Sequence, residues 1–179
     1  MEQLNPTEVG EILGVLIELG EFEVTAQRAD ELVVEFHNGD YTISTDKARL
    51  DLTVIHDFLS HSYWAEDVPI AIVQKSIQNS LCFGIYHQEG QVGFARAISD
   101  YATYAYLADV FVLENHRGHG LGQWLIQSIL SHPQLQGLRR WALATRDAQG
   151  LYAQFGFKTV EKPENEMLLR PSKPYKKDT

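Results

Sequence analysis

The hexapeptide RGHGLG at residues 117–122 has the composition of an anion-binding turn. Its alternating glycines suit a backbone that must come close to a ligand, because glycine has no Cβ atom. An apolar run, YAYLADVFVL, precedes the hexapeptide, and an amphipathic stretch, QWLIQSIL, follows it. The pattern predicts a turn from a strand into a helix, where backbone N–H groups and the helix dipole attract phosphate and Arg117 adds a positive charge.

Two other glycine-rich motifs do not fit this turn. A P-loop requires a lysine directly after its last glycine, and none follows Gly122. A dinucleotide-binding fingerprint requires a third small residue, and about twenty residues further on an acid for the ribose. Gln123 stands at the first of these positions, and Arg139 and Arg140 stand near the second. A strand-to-helix turn without a ligand remains the alternative for the hexapeptide taken alone.

Asp109 is the other residue whose type and position suggest chemistry. It is the only charged residue between Tyr104 and Leu113. An isolated carboxylate in apolar surroundings is costly unless it has a partner or contacts water. Such surroundings can make a carboxylate a useful general base. The sequence leaves two interpretations open, a catalytic base and a structural carboxylate bonded to the backbone.

The turn and a second segment together resemble the GCN5-related N-acetyltransferases, the GNAT superfamily. The signature Q/R-x-x-G-x-G/A of that family matches Arg117, Gly120 and Gly122. The segment LYAQFGF at residues 151–157 is similar to its LY-x-x-x-GF motif, and one strand is expected between the two. The resemblance covers about residues 46–170. It implies an acetyltransferase that uses acetyl-CoA as co-substrate, without a metal.

The resemblance also implies a set of binding positions for acetyl-CoA. The turn would hold the pyrophosphate, and the preceding strand would bind the pantetheine arm through its backbone, with the N–H of Val112 near the thioester carbonyl. Thr145 stands where many relatives have an asparagine that binds pantetheine. The residues expected to bind acetyl-CoA are Val110, Phe111, Val112, Arg117, Gly118, His119, Gly120, Leu121, Gly122 and Thr145.

The catalytic residues implied by the resemblance are Tyr152 and, less directly, Asp109. Tyr152 falls on the motif tyrosine, whose phenol can donate a proton to the leaving thiolate. Polyamine acetyltransferases, to which YLADVFVLENHRGHGLG is similar, have a glutamate where Ala108 stands, which leaves both a polyamine acceptor and that base in doubt. Tyr63 and Trp64, in the loop SHSYWAEDVP, are candidate walls of the acceptor pocket, or a packed aromatic pair at a helix end. Glu66 and Asp67 of the same loop are candidates for attracting an amine.

The elements that must position these residues follow from hydrophobic periodicity. Helices are expected in DLTVIHDFLS, PIAIVQKSIQNS, residues 121–130 and DAQGLYAQF. LCFGIYH and QVGFARAIS form a predicted hairpin, and YAYLADVFVL, RRWALAT, FKTV and EMLLR are further predicted strands. The expected fold is the α/β GNAT fold, a mixed, mostly antiparallel central sheet with helices on both faces. The resemblance adds a splay between the family's fourth and fifth strands.

The charge distribution separates the N-terminal residues from the rest. Residues 1–45 carry ten acidic side chains and one basic side chain, which accounts for the whole net charge of −9. They are predicted to form an acidic appendage, with a helix over 6–20 and two strands about an Asn38-Gly39 turn. The acetyltransferase domain is expected over 46–170, so that it should fold without residues 1–45, followed by a disordered tail at 171–179.

Composition narrows the partners and the compartment. Without a basic stripe, nucleic acid is not expected as a partner. A single cysteine and a start without a basic-then-apolar order favour the cytoplasm, and no apolar run is long enough for a membrane span. The sequence is compatible with a homodimer. The predicted function is transfer of an acetyl group to a primary amine of a small molecule or peptide. The alternative is a non-catalytic acyl-CoA-binding module with a partner-binding N-terminal segment.

Overall fold

Seven strands form one sheet in the computed structural model, which describes residues 22–28, 31–88, 90–171 and 175. The strands lie in sequence order, and each is antiparallel to the one before it except β7, which runs parallel to β6. This confirms the mixed, mostly antiparallel sheet. The strands are β1 (Phe22–Arg28), β2 (Glu31–Asn38), β3 (Tyr41–Ser44), β4 (Leu81–His87), β5 (Gly90–Ser99), β6 (Tyr104–Val112) and β7 (Arg140–Ala142).

Within the described residues, four α-helices cover both faces of the sheet, as predicted. They are α1 (Leu52–Ser60), α2 (Ile70–Gln78), α3 (Leu121–Ser131) and α4 (Gln149–Ala153). Neighbouring residues on a strand point to opposite faces. On β4, Phe83 packs in one hydrophobic cluster with α3, whereas Cys82 packs in the other with α1 and α2. The alternating apolar residues of the central strands therefore supply two cores, one for each layer of helices.

Local sequence signals place the turns and helix starts. The β2–β3 hairpin turns at Gly39, whose φ of +58° is one that glycine adopts readily. The carboxylate of Asp51 accepts hydrogen bonds from the N–H groups of Thr53 and Val54, and so caps α1. The fold up to the predicted site thus follows closely from short-range patterns.

The N-terminal strands belong to the same sheet as the rest of the domain. β3 pairs with β4 from Tyr41–His87 to Ser44–Gly84. Val34 and Ile43 are fully buried in the cluster that α3 covers. The boundary after residue 45 stays a prediction, but these contacts lead us to expect that residues 31–44 are needed by the core.

The two last predicted strands do not form. Neither FKTV nor EMLLR pairs with another strand among the described residues. A strand needs a partner for its backbone hydrogen bonds, and β7 at this edge is only three residues long. Instead, Glu166 forms an ion pair with Arg140, and Met167 and Leu169 are almost fully exposed. These two predictions were wrong.

Two other predictions fall mainly on residues that the structure does not describe. The helix over 6–20 lies outside the described residues, as does the tail at 171–179 apart from Pro171 and Tyr175. Within the described part, none of the helices has the length and hydrophobicity of a membrane span.

Candidate active site

A cleft opens where β6 and β7 separate. The two strands pair only from Tyr104–Arg140 to Tyr106–Ala142, although β6 continues to Val112. This confirms the splay implied by the resemblance. The cleft has a volume of about 870 Å³ and brings together six of the predicted site residues, namely Tyr63, Trp64, Asp109, Val110, Thr145 and Tyr152.

The last residues of β6 present backbone groups to this cleft. The N–H of Leu113 donates to the carbonyl of Val92 on β5 at 2.8 Å, and the carbonyl of Phe111 also lies beside β5. Because successive residues of a strand direct these groups to opposite edges, the backbone of Val110 and Val112 points away from β5. Phe111, predicted to bind with them, uses its backbone within the sheet and buries its side chain.

A bulge at Asp109 interrupts β6 at the mouth of the splay. The register with β5 shifts between Phe94 and Arg96, and Asp109 has a φ of +55°, which is strained for a residue with a side chain. Its Oδ2 accepts from Nε of Arg96 at 2.5 Å, and Nη1 of the same arginine donates to Ser80. The two charged side chains are only 12% and 16% exposed. Asp109 is therefore an ion-paired carboxylate at the cleft, with Oδ1 as its remaining acceptor.

The glycine-rich turn has an open concave backbone. Gly118 and Gly120 have φ values of +83° and +75°, and a Cβ atom added to either would meet nothing within 4 Å. Gly120 is the N-cap of α3 and supplies no side-chain cap, so the first N–H groups of the helix have no partner within it. Leu121 is buried and offers only its N–H, and Gly122 is helical, with Leu151 at ordinary contact distance from an added Cβ. The turn thus fits an anion.

Side chains on either side fasten the turn to the sheet. Nε of Arg117 donates to the carbonyl of Val112, the last residue of β6, at 3.0 Å. The Tyr41 hydroxyl and Nδ1 of His116 form a hydrogen bond of 3.2 Å, and Nδ1 of His119 donates to the carbonyl of His116. In the described part of the chain, no three histidine, cysteine or acidic side chains are grouped to hold a metal ion.

Tyr152 lies on α4, where its side chain is buried and lines the cleft. Its ring packs edge-on against Phe157 of the same motif at 5.9 Å. Burial, together with the nearby phenols of Tyr63 and Tyr106, raises the pKa of Tyr152 to about 12. The phenol therefore keeps its proton at neutral pH and can act as a donor.

One wall of the cleft joins the loop after α1 to the loop before α4. The Tyr63 hydroxyl accepts from the N–H of Arg146 at 3.0 Å, and the Arg146 guanidinium lies 3.8 Å from the centre of the Tyr63 ring. Trp64 packs edge-on against that ring at 4.9 Å. Thr145 accepts from the N–H of Ala148, which stabilises the start of α4 and leaves its hydroxyl proton free to donate.

Sequence reasoning missed the arginines of the cleft. Arg96, Arg146 and Arg170 line it, whereas Glu66 and Asp67, expected to attract an amine, do not. Arg96 had a signal like that of Asp109, since it is the only charged residue of β5. Arg146 and Arg170 had none, because their place depends on how distant segments pack.

Comparison with known proteins identifies the family of this chain. A family model described as an acetyltransferase (GNAT) domain matches residues 78–159, which include β6, the turn and α4. A curated, provisionally named acetyltransferase of Gibberella zeae is 34% identical over 139 residues, covering 65% of this chain and 77% of its own.

Solved structures give the same assignment. A provisionally named GNAT acetyltransferase from Xanthomonas campestris pv. campestris is 49% identical, with a TM-score of 0.74 over 76% of this chain and 97% of its own. A GNAT acetyltransferase from Elizabethkingia anophelis, with acetyl-CoA bound, shares the fold at 12% identity, with a TM-score of 0.55 over 69% of this chain and 80% of its own. The family model, these relatives and the splayed sheet show that the chain belongs to the GNAT family of acetyltransferases.

Proposed function

We propose that the protein transfers the acetyl group of acetyl-CoA to a primary amine on a small molecule or peptide, by direct attack of that amine. One observation carries this proposal. A strand edge at Val110 and Val112, which pairs with no other strand among the described residues, is followed after one short 3-10 helix by a glycine turn at the start of α3. An extended amide chain can add to a strand edge, and a pyrophosphate suits a helix N-terminus. Coenzyme A consists of these two parts in this order.

The residues of the cleft have separate tasks in this reaction. Acetyl-CoA supplies the acetyl thioester. The N–H of Val112 stabilises the negative charge that develops on the carbonyl oxygen as the amine adds. Tyr152, protonated at neutral pH, donates a proton to the departing sulfur. Oδ1 of Asp109 accepts the proton that the amine loses, directly or through water.

A panel of primary amines tests the proposal. With acetyl-CoA and each amine, we expect release of free thiol and a product heavier by one acetyl group, measured by a thiol reagent and by mass spectrometry. Calorimetry with acetyl-CoA alone is the companion measurement. Binding of acetyl-CoA without thiol release on any amine would favour the non-catalytic acyl-CoA-binding module instead.

A further inference from the structure

The cleft has more positive than negative charge on its walls. Among the residues that the structure describes, the charged side chains that line it are Arg96, Asp109, Arg146, Asp147 and Arg170. Arg96 and Asp109 neutralise each other at 2.5 Å. Three charges are then left, two positive and one negative. This is the opposite of the acidic acceptor wall expected from the sequence.

The remaining aspartate does not neutralise Arg146 effectively. Asp147 Oδ2 lies 3.7 Å from Nη2 of Arg146, and both side chains are about two-thirds exposed. Exposed pairs of this kind contribute about 0–1 kcal/mol, because water screens both charges. Arg146 therefore keeps most of its capacity to bind another anion.

Arg146 is also held in a fixed position, unlike most exposed arginines. The central carbon of its guanidinium lies over the Tyr63 ring, 3.8 Å from the ring centre, and its backbone N–H donates to the hydroxyl of the same tyrosine. This contact covers one side of the guanidinium and leaves its N–H groups available to an anion. That arrangement suits a carboxylate, which can accept two parallel hydrogen bonds from one arginine.

The position of Arg146 relates it to the acceptor. Tyr63 is also close enough to Tyr152 to raise the pKa of that phenol, so the stacked pair lies near the proposed proton donor. Arg170 approaches the same cleft from the C-terminal segment. An acceptor whose amine lies near Asp109 and Tyr152 can extend towards Arg146.

We infer that the acceptor is an amine that also carries a carboxylate, and that Arg146, stacked on Tyr63 and assisted by Arg170, binds this carboxylate. The inference rests on the proposed amine transfer and names the class of its acceptor. It assigns Arg146 and Tyr63 as specificity-determining residues rather than catalytic ones.

Paired acceptors that differ only in charge test the inference. ω-Amino acids with two to six carbons are compared with their carboxamides at saturating acetyl-CoA. The series also reveals the preferred distance between the amine and the carboxylate of the acceptor. For the best pair we expect kcat/KM to be about 10- to 100-fold higher for the acid, the usual effect of a charge-assisted hydrogen bond. Arg146→Gln should remove this preference, whereas Arg139→Gln, an exposed arginine outside the cleft, should keep it.

A second measurement separates this inference from the proposed function. Calorimetry with the CoA-bound protein compares the affinity of each acid with that of its amide, without turnover. If the acid binds more tightly than the amide and this difference is lost in Arg146→Gln, the inference is supported. Absence of acetyl transfer would count against the proposed reaction but not against this inference. Equal binding or equal kcat/KM for acid and amide would overturn it, as would an Arg146→Gln variant that weakens only acetyl-CoA.

Discussion

Tyr152 is the residue whose environment most directly suggests a role. Since burial raises the pKa of its phenol to about 12, the protonated, donating form persists as pH rises until that value is approached. We expect Tyr152→Phe to lower kcat by about 10²-fold, the usual effect of losing a positioned acid, and to leave the Kd of acetyl-CoA unchanged. Steady-state kinetics and calorimetry measure the two. Tyr106→Phe, in the same cleft, is the control, and an equal loss there would show that Tyr152 has no special task.

Asp109 is more ambiguous at this scale, because its carboxylate is bonded to Arg96. Two substitutions separate the roles of ion pair and base. Asp109→Asn and Arg96→Met both break the pair. Each should lower the free energy of unfolding by about 3 kcal/mol, and with it Tm. Only Asp109→Asn should in addition lower kcat at neutral pH, by about 10²-fold, because it removes the proton acceptor. If the two variants lose kcat equally, Asp109 is structural and another group accepts the proton.

At the scale of elements, the turn before α3 contains two residues with positive φ, Gly118 and Gly120. Gly120 and the distant Gly137 have nearly the same φ, +75° and +72°, and equally open space around an added Cβ. We expect Gly120→Ala and Gly137→Ala to lower Tm similarly, since both strain the backbone. Only Gly120→Ala should raise the Kd of acetyl-CoA, by about 10-fold or more, because its Cβ projects from the turn that we propose binds the phosphate. Equal Kd values in calorimetry would exclude the turn as the phosphate site.

A buried histidine, His132, directly follows the C-terminal end of α3. His132 is fully buried edge-on to Phe83, and burial lowers its pKa from 6.5 to about 3. The unfolded chain therefore binds a proton between these values and the folded chain does not, so stability is complete above pH 6.5 and falls as pH decreases towards 3. From pH 6.5 to 4.5 the loss from this group is about 2 kcal/mol.

Replacement of His132 tests this linkage. Denaturant unfolding of His132→Leu should show a smaller loss of stability over the same pH range than the wild type. His61→Leu, at an exposed position, should follow the wild type. If all three proteins lose stability in parallel, His132 does not contribute to the acid sensitivity.

At the scale of the molecule, the sheet joins the acidic N-terminal residues to the acetyltransferase core. A fragment that begins at residue 46 lacks β1, β2 and β3, and therefore exposes the edge of β4 and the core surface that Val34 and Ile43 cover. We expect it to aggregate, because an exposed apolar strand edge promotes pairing between chains. A fragment that begins at residue 22 keeps all three strands and should not aggregate in light scattering. A fragment from residue 46 that does not aggregate and keeps its acetyl-CoA affinity would restore the predicted boundary.

The sequence by itself determined the features that depend on a few consecutive residues. The glycine turn, the capped start of α1 and the Gly39 hairpin all follow from backbone preferences of individual residues. The helix faces and strands follow from periodicity, because each element must bury one side. The motif resemblance added the splay, and with it a place for Tyr152 beside the cleft.

Only the tertiary structure decided the features that join distant segments. Asp109 and Arg96 are 13 residues apart, and Arg146 and Tyr63 are 83 apart. Neither partner carries a local sign of the other, so the ion pair of Asp109 and the arginines along the cleft were not predicted. The prediction of the last two strands was wrong for the same reason, since a strand forms only where a neighbouring strand edge accepts its hydrogen bonds. β7 ends after three residues at the splay, and its brevity depends on the packing of the whole sheet.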